Sequence, residues 1–91
     1  MPNKSLPTKL PATAPQNSVV KILVDKDFYI RDTTKAGKGS HVNLKKKGVF
    51  FVITVPHGDV RRGTLNSILK KAGISTKEFN EAYYGSKKPP Y

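Results

Sequence analysis

Two histidines are the side chains of this sequence best suited to proton transfer. His41 follows the glycine-rich run 37–40 at the start of a predicted strand, and His57 follows Pro56 at the end of another. Because an imidazole takes or gives a proton near neutral pH, each is a candidate general acid or base. The plainer interpretations are a solvated strand-edge residue for His41 and a loop-bonding turn residue for His57. We keep His57 as an accessory candidate.

Metal-binding and cofactor-binding patterns do not occur in the sequence. The six acidic residues are scattered, and no spacing matches HExxH or a calcium-binding loop. The absence of cysteine excludes disulfides and thiolate metal sites. The run 37–40 is rich in glycine but lacks the spacing of a Walker phosphate loop. We therefore expect no metal and no cofactor.

The charge of the chain favours a polyanionic partner. The 91 residues contain 17 Lys and Arg against 6 Asp and Glu, a net charge of +11. Residues 33–58 contain five lysines and no acid, and Arg61 and Arg62 precede a predicted helix whose N-terminus favours anions. Nucleic acid, an acidic protein and an anionic membrane are the candidates. A purely solubilising surface is the alternative, and the membrane is least favoured because no helix has the required amphipathic pattern.

The hydrophobic pattern predicts one α+β domain between two short tails. Residues 1–16 contain four prolines and predict a disordered tail. The less favoured interpretation is that this tail is a tether or a recognition peptide. Residues 86–91 are expected to fray. The absence of a long apolar run or a signal-like segment predicts a cytoplasmic protein. The predicted elements of the domain over 17–85 are helix 17–27, strands 28–32, 40–44 and 49–55, helix 65–72 and a short helix from 75 to about 84.

Three strands with short connections predict an antiparallel sheet with the helices on one face. Alternation along the first two strands divides their side chains between the two faces of that sheet. The inward set is Phe28, Ile30, Val42 and Leu44, and the outward set is Tyr29, Arg31, His41 and Asn43. The loop 33–39 joins these strands, and the charged turn 45–48 precedes the third.

Local signals mark the ends of the predicted helices. Asn17 or Ser18 is expected to cap the first helix and Thr64 the second, which should end at Gly73. The residues 75–78 form a capping box before the last helix.

Three motifs of the chain occur together in one known family. They are Lys38-Gly39-Ser40-His41, Thr54-Val55-Pro56-His57 and the run from Arg62 to Ile74. With them the chain resembles, over about residues 17–75, the HicA family of mRNA interferase toxins from bacterial and archaeal toxin–antitoxin pairs. The resemblance implies a fold like the double-stranded-RNA-binding domain, metal-independent cleavage of mRNA and a HicB-type antitoxin that masks the active face. It places the family's catalytic histidine at His41, preceded by the matching Gly39 and Ser40.

RNA supplies its own nucleophile, the 2′-hydroxyl, so cleavage needs proton transfer and charge stabilisation from the protein. We predict His41 as the general acid or base, with Lys38 and the backbone N–H groups of Gly39 and Ser40 holding the phosphate. The second proton carrier stays open among Tyr29, His57 and a lysine. The other predicted RNA contacts are Tyr29, Arg31, Asn43, Lys45, Arg61 and Arg62.

Two other functions fit the same residues. One is a non-catalytic RNA-binding module of the same fold, and the other is docking of the basic face on an acidic protein. The second is compatible with a toxin, which we expect to be monomeric alone and oligomeric through its antitoxin.

Overall fold

The computed structural model describes residues 7–37 and 39–85. The elements are β1 Thr13–Pro15, α1 Gln16–Asp25, β2 Phe28–Ala36, β3 Gly39–Lys46, β4 Ile53–Val55, β5 Asp59–Arg61, α2 Arg62–Ala72 and α3 Thr76–Gly85. They form an α+β structure with an antiparallel sheet of three strands, in the order β2-β3-β4, and a separate antiparallel pair, β1 and β5. The predicted α-β-β-β-α order with a terminal helix is confirmed, and it matches the arrangement of a double-stranded-RNA-binding domain.

The core forms where the apolar stripes of the helices meet the inward residues of β3 and β4. The spacing of i, i+3 and i+4 on α2 buries one stripe and leaves the lysines of its last turn exposed. Leu44 on β3 and Val55 on β4 are fully buried, as the alternation of these strands requires. The buried apolar residues of the helices are Val19, Ile22 and Leu23 on α1, Leu65, Ile68 and Leu69 on α2, and Phe79 on α3.

The N-terminal segment from residue 7 packs on the domain, so the disordered tail expected over 1–16 is wrong for residues 7–16. Leu10 and Ala14 are buried in the core, and β1 pairs in antiparallel register with β5. The Asn80 side chain donates hydrogen bonds to the carbonyl oxygens of Pro7 at 2.8 Å and Lys9 at 3.0 Å. Proline-rich composition did not prevent packing, because the segment docks on partners distant in the chain. Residues 1–6 and the tail 86–91 lie outside the described residues.

The β2–β3 hairpin is longer than the sequence predicts. Residues 33–36, expected in a loop, continue β2 and pair with β3 as far as Ala36 and Gly39. The register shifts between Ile30 and Asp32, at Arg31. Ile30 pairs with the buried Leu44 and so lies on the inward face, as predicted, but it is 51% exposed because β2 is an edge strand.

The third strand is much shorter than the predicted 49–55, since β4 contains only residues 53–55. Phe50 is 99% exposed, despite the high strand propensity of its neighbours. Lysine side chains bond the segment instead of a neighbouring strand: Lys45 donates to the carbonyl of Val49 at 2.6 Å, and Lys71 to that of Val52 at 3.2 Å. Propensity therefore failed here because pairing partners, not residue type, decide where a ladder forms.

The predicted caps of α1 and α2 are wrong. Both helices begin earlier, at Gln16 and Arg62, directly after β1 and β5, and neither preceding residue forms a side-chain cap. The predicted loop 56–63 contains β5, because residues 59–61 pair with β1. Strand pairing of the preceding residues sets where these helices start.

The signals at the α2–α3 junction are confirmed. Gly73 ends α2 with a φ of 77°, a left-handed conformation that favours glycine. The Ser75 backbone N–H donates to the Glu78 carboxylate at 2.9 Å, and the Glu78 N–H donates to the Ser75 hydroxyl at 3.0 Å. This reciprocal bonding is the capping box that the sequence predicts.

We expect Leu10→Ala to lower the free energy of unfolding by about 2–4 kcal/mol, because it removes a buried side chain from the core. Urea denaturation of the full chain measures this. Lys9→Ala, at the exposed neighbouring position, is the control and should change stability little. Equal stability of both variants would restore the interpretation of residues 7–16 as a tail.

Candidate active site

His41 and His57 lie together at the end of the β3–β4 ladder. That ladder ends at the pair Val42 and Val55, and the next residue, Pro56, has no N–H with which to continue it. The His57 backbone N–H instead donates to Nδ1 of His41 at 3.3 Å. His41 is half-buried and His57 is exposed. The structure thus joins two histidines that lie 16 positions apart in the sequence.

A close contact with the His57 ring explains why residue 39 is a glycine. The His57 ring packs directly against the backbone of Gly39, and a Cβ at that position would overlap the ring. Any other residue at position 39 would displace the His57 ring or the tip of the β2–β3 hairpin. Glycine here therefore permits the close approach of the His57 loop to β3.

The bond to His57 assigns the two nitrogens of His41 different roles. Since Nδ1 accepts a hydrogen bond, the neutral ring carries its proton on Nε2. Nε2 forms no hydrogen bond to any residue that the structure describes. At 3.3 Å the bond to Nδ1 is longer than the usual protein hydrogen bond, so it constrains the ring weakly.

Gln16 connects the backbones on both sides of this histidine pair. Its side-chain amide donates to the carbonyl of Ser40 at 2.8 Å and to that of Val55 at 3.1 Å. Its backbone N–H donates to the carbonyl of Gly58 at 3.0 Å. The sequence analysis assigned Gln16 to the disordered tail and missed these contacts, and no local pattern in the sequence indicates them.

Asn43 lies on the same face of β3 as His41, as predicted, but is only 7% exposed. Its amide donates to the Asp32 carboxylate at 2.8 Å and to the Thr34 hydroxyl at 2.9 Å, both on β2. Its carbonyl accepts a hydrogen bond from the Thr54 hydroxyl on β4 at 2.7 Å. Asn43 therefore ties the three strands together, and both N–H donors of its amide are used within the sheet.

The Asn43 bond also affects the acid beside it. The hydrogen bond from Asn43, with a further contribution from the nearby Arg31 guanidinium, holds the pKa of the Asp32 carboxyl below its ordinary value. Asp32 therefore stays ionised at neutral pH and serves as the acceptor of this network.

A model of the HicA toxin family, described as the HicA toxin of bacterial toxin–antitoxin systems, matches residues 17–74. The chain belongs to this family. The match includes both histidines, most of α1 and all of α2, and it begins one residue after Gln16. No curated protein and no solved structure gives a significant match.

Of the other residues predicted to contact RNA in this HicA-family toxin, some are exposed and some form hydrogen bonds that support the fold. Tyr29 is half exposed and lies opposite Lys45, whose ammonium group bonds the Val49 carbonyl. Arg31 is exposed and bonds Asp32 at 3.3 Å. Lys45, the partner of Tyr29, lies about 13 Å along β3 from His41. Arg31 lies at the register shift of β2. The structure therefore brings neither Tyr29 nor Arg31 to the imidazole.

The two arginines of the toxin before α2 differ in their contacts. Arg61 is exposed on β5, where it pairs with Thr13 of β1. The Arg62 guanidinium donates to the carbonyl of Leu10 at 2.9 Å and so holds the N-terminal segment in place. Lys38 lies outside the described residues. Ser40 is half-buried, and its carbonyl accepts the Gln16 bond.

The described residues of the toxin contain neither a metal-binding cluster nor a membrane-spanning helix. No group of three or more histidine or acidic side chains in residues 7–37 and 39–85 is placed to hold a metal ion. Within the same part of the chain, no helix is long and apolar enough to cross a membrane.

The Asp32 network predicts a specific dependence of stability on acid. Because the folded state lowers the pKa of Asp32, its contribution to stability is present above about pH 4 and is lost as the pH falls through the lowered value. We expect Asp32→Asn to be less stable than wild type at pH 7 and to lose less stability on acidification. Urea denaturation between pH 7 and pH 2.5 measures both.

Asp25→Asn is the matched control, since it removes the same charge from an exposed position on α1. It keeps Asp32 and should therefore keep the acid-dependent loss of the wild type. Identical acid profiles of Asp32→Asn and the wild type would contradict a role for this network.

Proposed function

We propose that this HicA-family toxin is a metal-independent endoribonuclease that cleaves mRNA, with His41 as its catalytic residue. The observation that carries the proposal is the state of the His41 imidazole. It is half-buried near the start of β3, is held weakly through Nδ1, and has an Nε2 without a hydrogen bond to the described residues. The position lies within the segment that matches the toxin family.

The reaction follows from the chemistry of RNA. The 2′-oxygen attacks the neighbouring phosphorus while its proton passes to a base, and the bond from phosphorus to the 5′-oxygen breaks as that oxygen takes up a proton. The products are a 2′,3′-cyclic phosphate and a 5′-hydroxyl. A well-placed general acid or base contributes about 10²–10⁴-fold to such a step.

One imidazole serves both proton transfers in this scheme. Nδ1 carries the lone pair of the neutral ring, and it becomes available when the substrate hydroxyl replaces the 3.3 Å bond from His57. The imidazolium then returns a proton to the leaving 5′-oxygen. Among the candidates for a separate second carrier, contact geometry favours His57, because its backbone bonds His41 and its ring covers Gly39.

The charge of the chain supports RNA as the substrate. A net charge of +11 attracts phosphates, and Lys35 on β2, together with Lys45 and Lys46 on β3, belongs to the hairpin that contains His41. We propose that Lys38 and the backbone N–H groups of Gly39 and Ser40 contact the scissile phosphate. Tyr29, Arg31 and Arg61 are proposed to bind the flanking nucleotides, with Lys45, Arg62 and Asn43 acting through the fold.

We expect His41→Ala to cleave RNA at least about 100-fold more slowly than wild type in buffer with EDTA, while RNA binding and the urea midpoint stay unchanged. His57→Ala should retain more activity, because the backbone donor to residue 41 remains. Gel analysis of a labelled RNA measures cleavage, and a substrate with 2′-deoxyribose at the cut site should resist it.

Undiminished cleavage by His41→Ala would overturn the catalytic assignment. Intact RNA after incubation with wild-type protein, together with binding that weakens with salt, would support the alternative of a non-catalytic RNA-binding module. Dependence of cleavage on added metal would contradict the metal-independent mechanism.

We further propose that a HicB-type antitoxin covers the face of β3 that carries His41, Asn43 and Lys45. We also propose that the toxin acts on mRNA in the cytoplasm. The toxin–antitoxin family and the positive charge support an acidic partner of this kind. Co-expression with the product of the adjacent reading frame is expected to give a stable complex that suppresses cleavage.

Size-exclusion chromatography with light scattering tests the assembly. The toxin alone should elute as a monomer and the complex as a larger oligomer. Separate elution of the two co-expressed proteins at low salt would contradict this partner.

A further inference from the structure

We propose that Gln16 is a positioning residue of the active site, which holds the two histidines together without contacting RNA. This inference rests on the proposed ribonuclease function. Gln16 lies at the first position of α1, before the segment that matches the toxin family, and it donates hydrogen bonds to three backbone carbonyls.

The three acceptors lie on either side of the catalytic pair. Ser40 immediately precedes His41, and its carbonyl is 2.8 Å from the Gln16 side-chain nitrogen. Val55 and Gly58 flank the dipeptide 56–57, and their carbonyls lie 3.1 Å and 3.0 Å from the two Gln16 nitrogens. A single residue therefore fixes the backbones that carry both imidazoles.

This bridge replaces strand pairing at the point where pairing stops. The β3–β4 ladder ends at Val42 and Val55, because Pro56 cannot donate the next hydrogen bond. Beyond that pair, the Gln16 amide spans the gap between Ser40 on β3 and Val55 on β4. The strand ends stay close enough for the His57 N–H to reach His41.

The contact requires a glutamine. A primary amide provides two N–H donors from one nitrogen, and both are directed to carbonyl oxygens here. Glutamate has no donor when ionised and would repel the two carbonyls. Asparagine is shorter by one methylene, and methionine has a similar length but no donor.

The backbone of Gln16 is itself held in place. The preceding strand β1 pairs with β5 through Pro15 and Asp59, and Ala14 is fully buried. Packing of the N-terminal segment is thereby transmitted to the histidine pair through one side chain. Loss of the amide should loosen the His57 loop and lower the turnover rate with little change in RNA affinity.

The test compares Gln16→Met with wild type in the full-length protein. Methionine keeps the length and bulk of the side chain but donates no hydrogen bond. Asn17→Met is the control, because Asn17 is exposed in the same helical turn. Gln16→Glu is a second variant with the same shape and no donor. Amide hydrogen exchange at His57, the ¹⁵N shift of His41 Nδ1, and kcat and KM for a labelled RNA are measured.

We expect both Gln16 variants to raise His57 amide exchange about tenfold or more and to lower kcat about 10-fold to 100-fold. KM should stay within about twofold, and the ¹⁵N shift of His41 should move away from that of a hydrogen-bonded acceptor nitrogen. Asn17→Met should match wild type in each measurement.

Wild-type exchange at His57 and wild-type kcat in Gln16→Met would overturn the proposal. Loss of the folded spectrum in both Gln16 variants would also overturn it, since the residue would then support the fold as a whole. If wild-type protein cleaves no RNA, the ribonuclease proposal fails, but the exchange and ¹⁵N measurements still decide whether Gln16 positions the histidines.

Discussion

The end of the β3–β4 ladder is the constraint on which the site of this toxin depends. Pro56 stops strand pairing because it has no N–H, and the backbone donor of His57 is then directed to an imidazole instead of a carbonyl. The same interruption gives the Gln16 amide access to two carbonyls at the strand ends.

Asn43 forms a network of side-chain hydrogen bonds two residues along β3 from His41, on the same face of the sheet. It joins β2, β3 and β4 through four side chains whose hydrogen bonds are 2.7–2.9 Å long. A buried amide with all its groups satisfied fixes the register of a sheet whose third strand has only three residues. This network ties the three strands together one residue away from the pair at which the β3–β4 ladder ends.

The basic residues of the chain have two roles, since some bond backbone carbonyls and others remain exposed. Arg62, Lys45 and Lys71 bond backbone carbonyls and stabilise segments that have no strand partner. Residues such as Arg61 and Lys35 remain exposed and contribute to the positive surface. A count of lysines and arginines thus indicates attraction to a polyanion, but only the contacts separate the cations that build the fold from those that face solvent.

Local patterns in the sequence determined the parts of this protein that depend on neighbours in the chain. The stripe of α2, the capping box at Ser75, the left-handed Gly73 and the shared face of His41 and Asn43 all follow from spacing and alternation. The tertiary structure alone decided the docking of the N-terminal segment, the short β4, the exposure of Ile30 and the bridge from Gln16. Each of these depends on a partner 24 or more positions away or on an edge of the sheet, and a local pattern contains no information about which distant backbone groups lack a hydrogen bond.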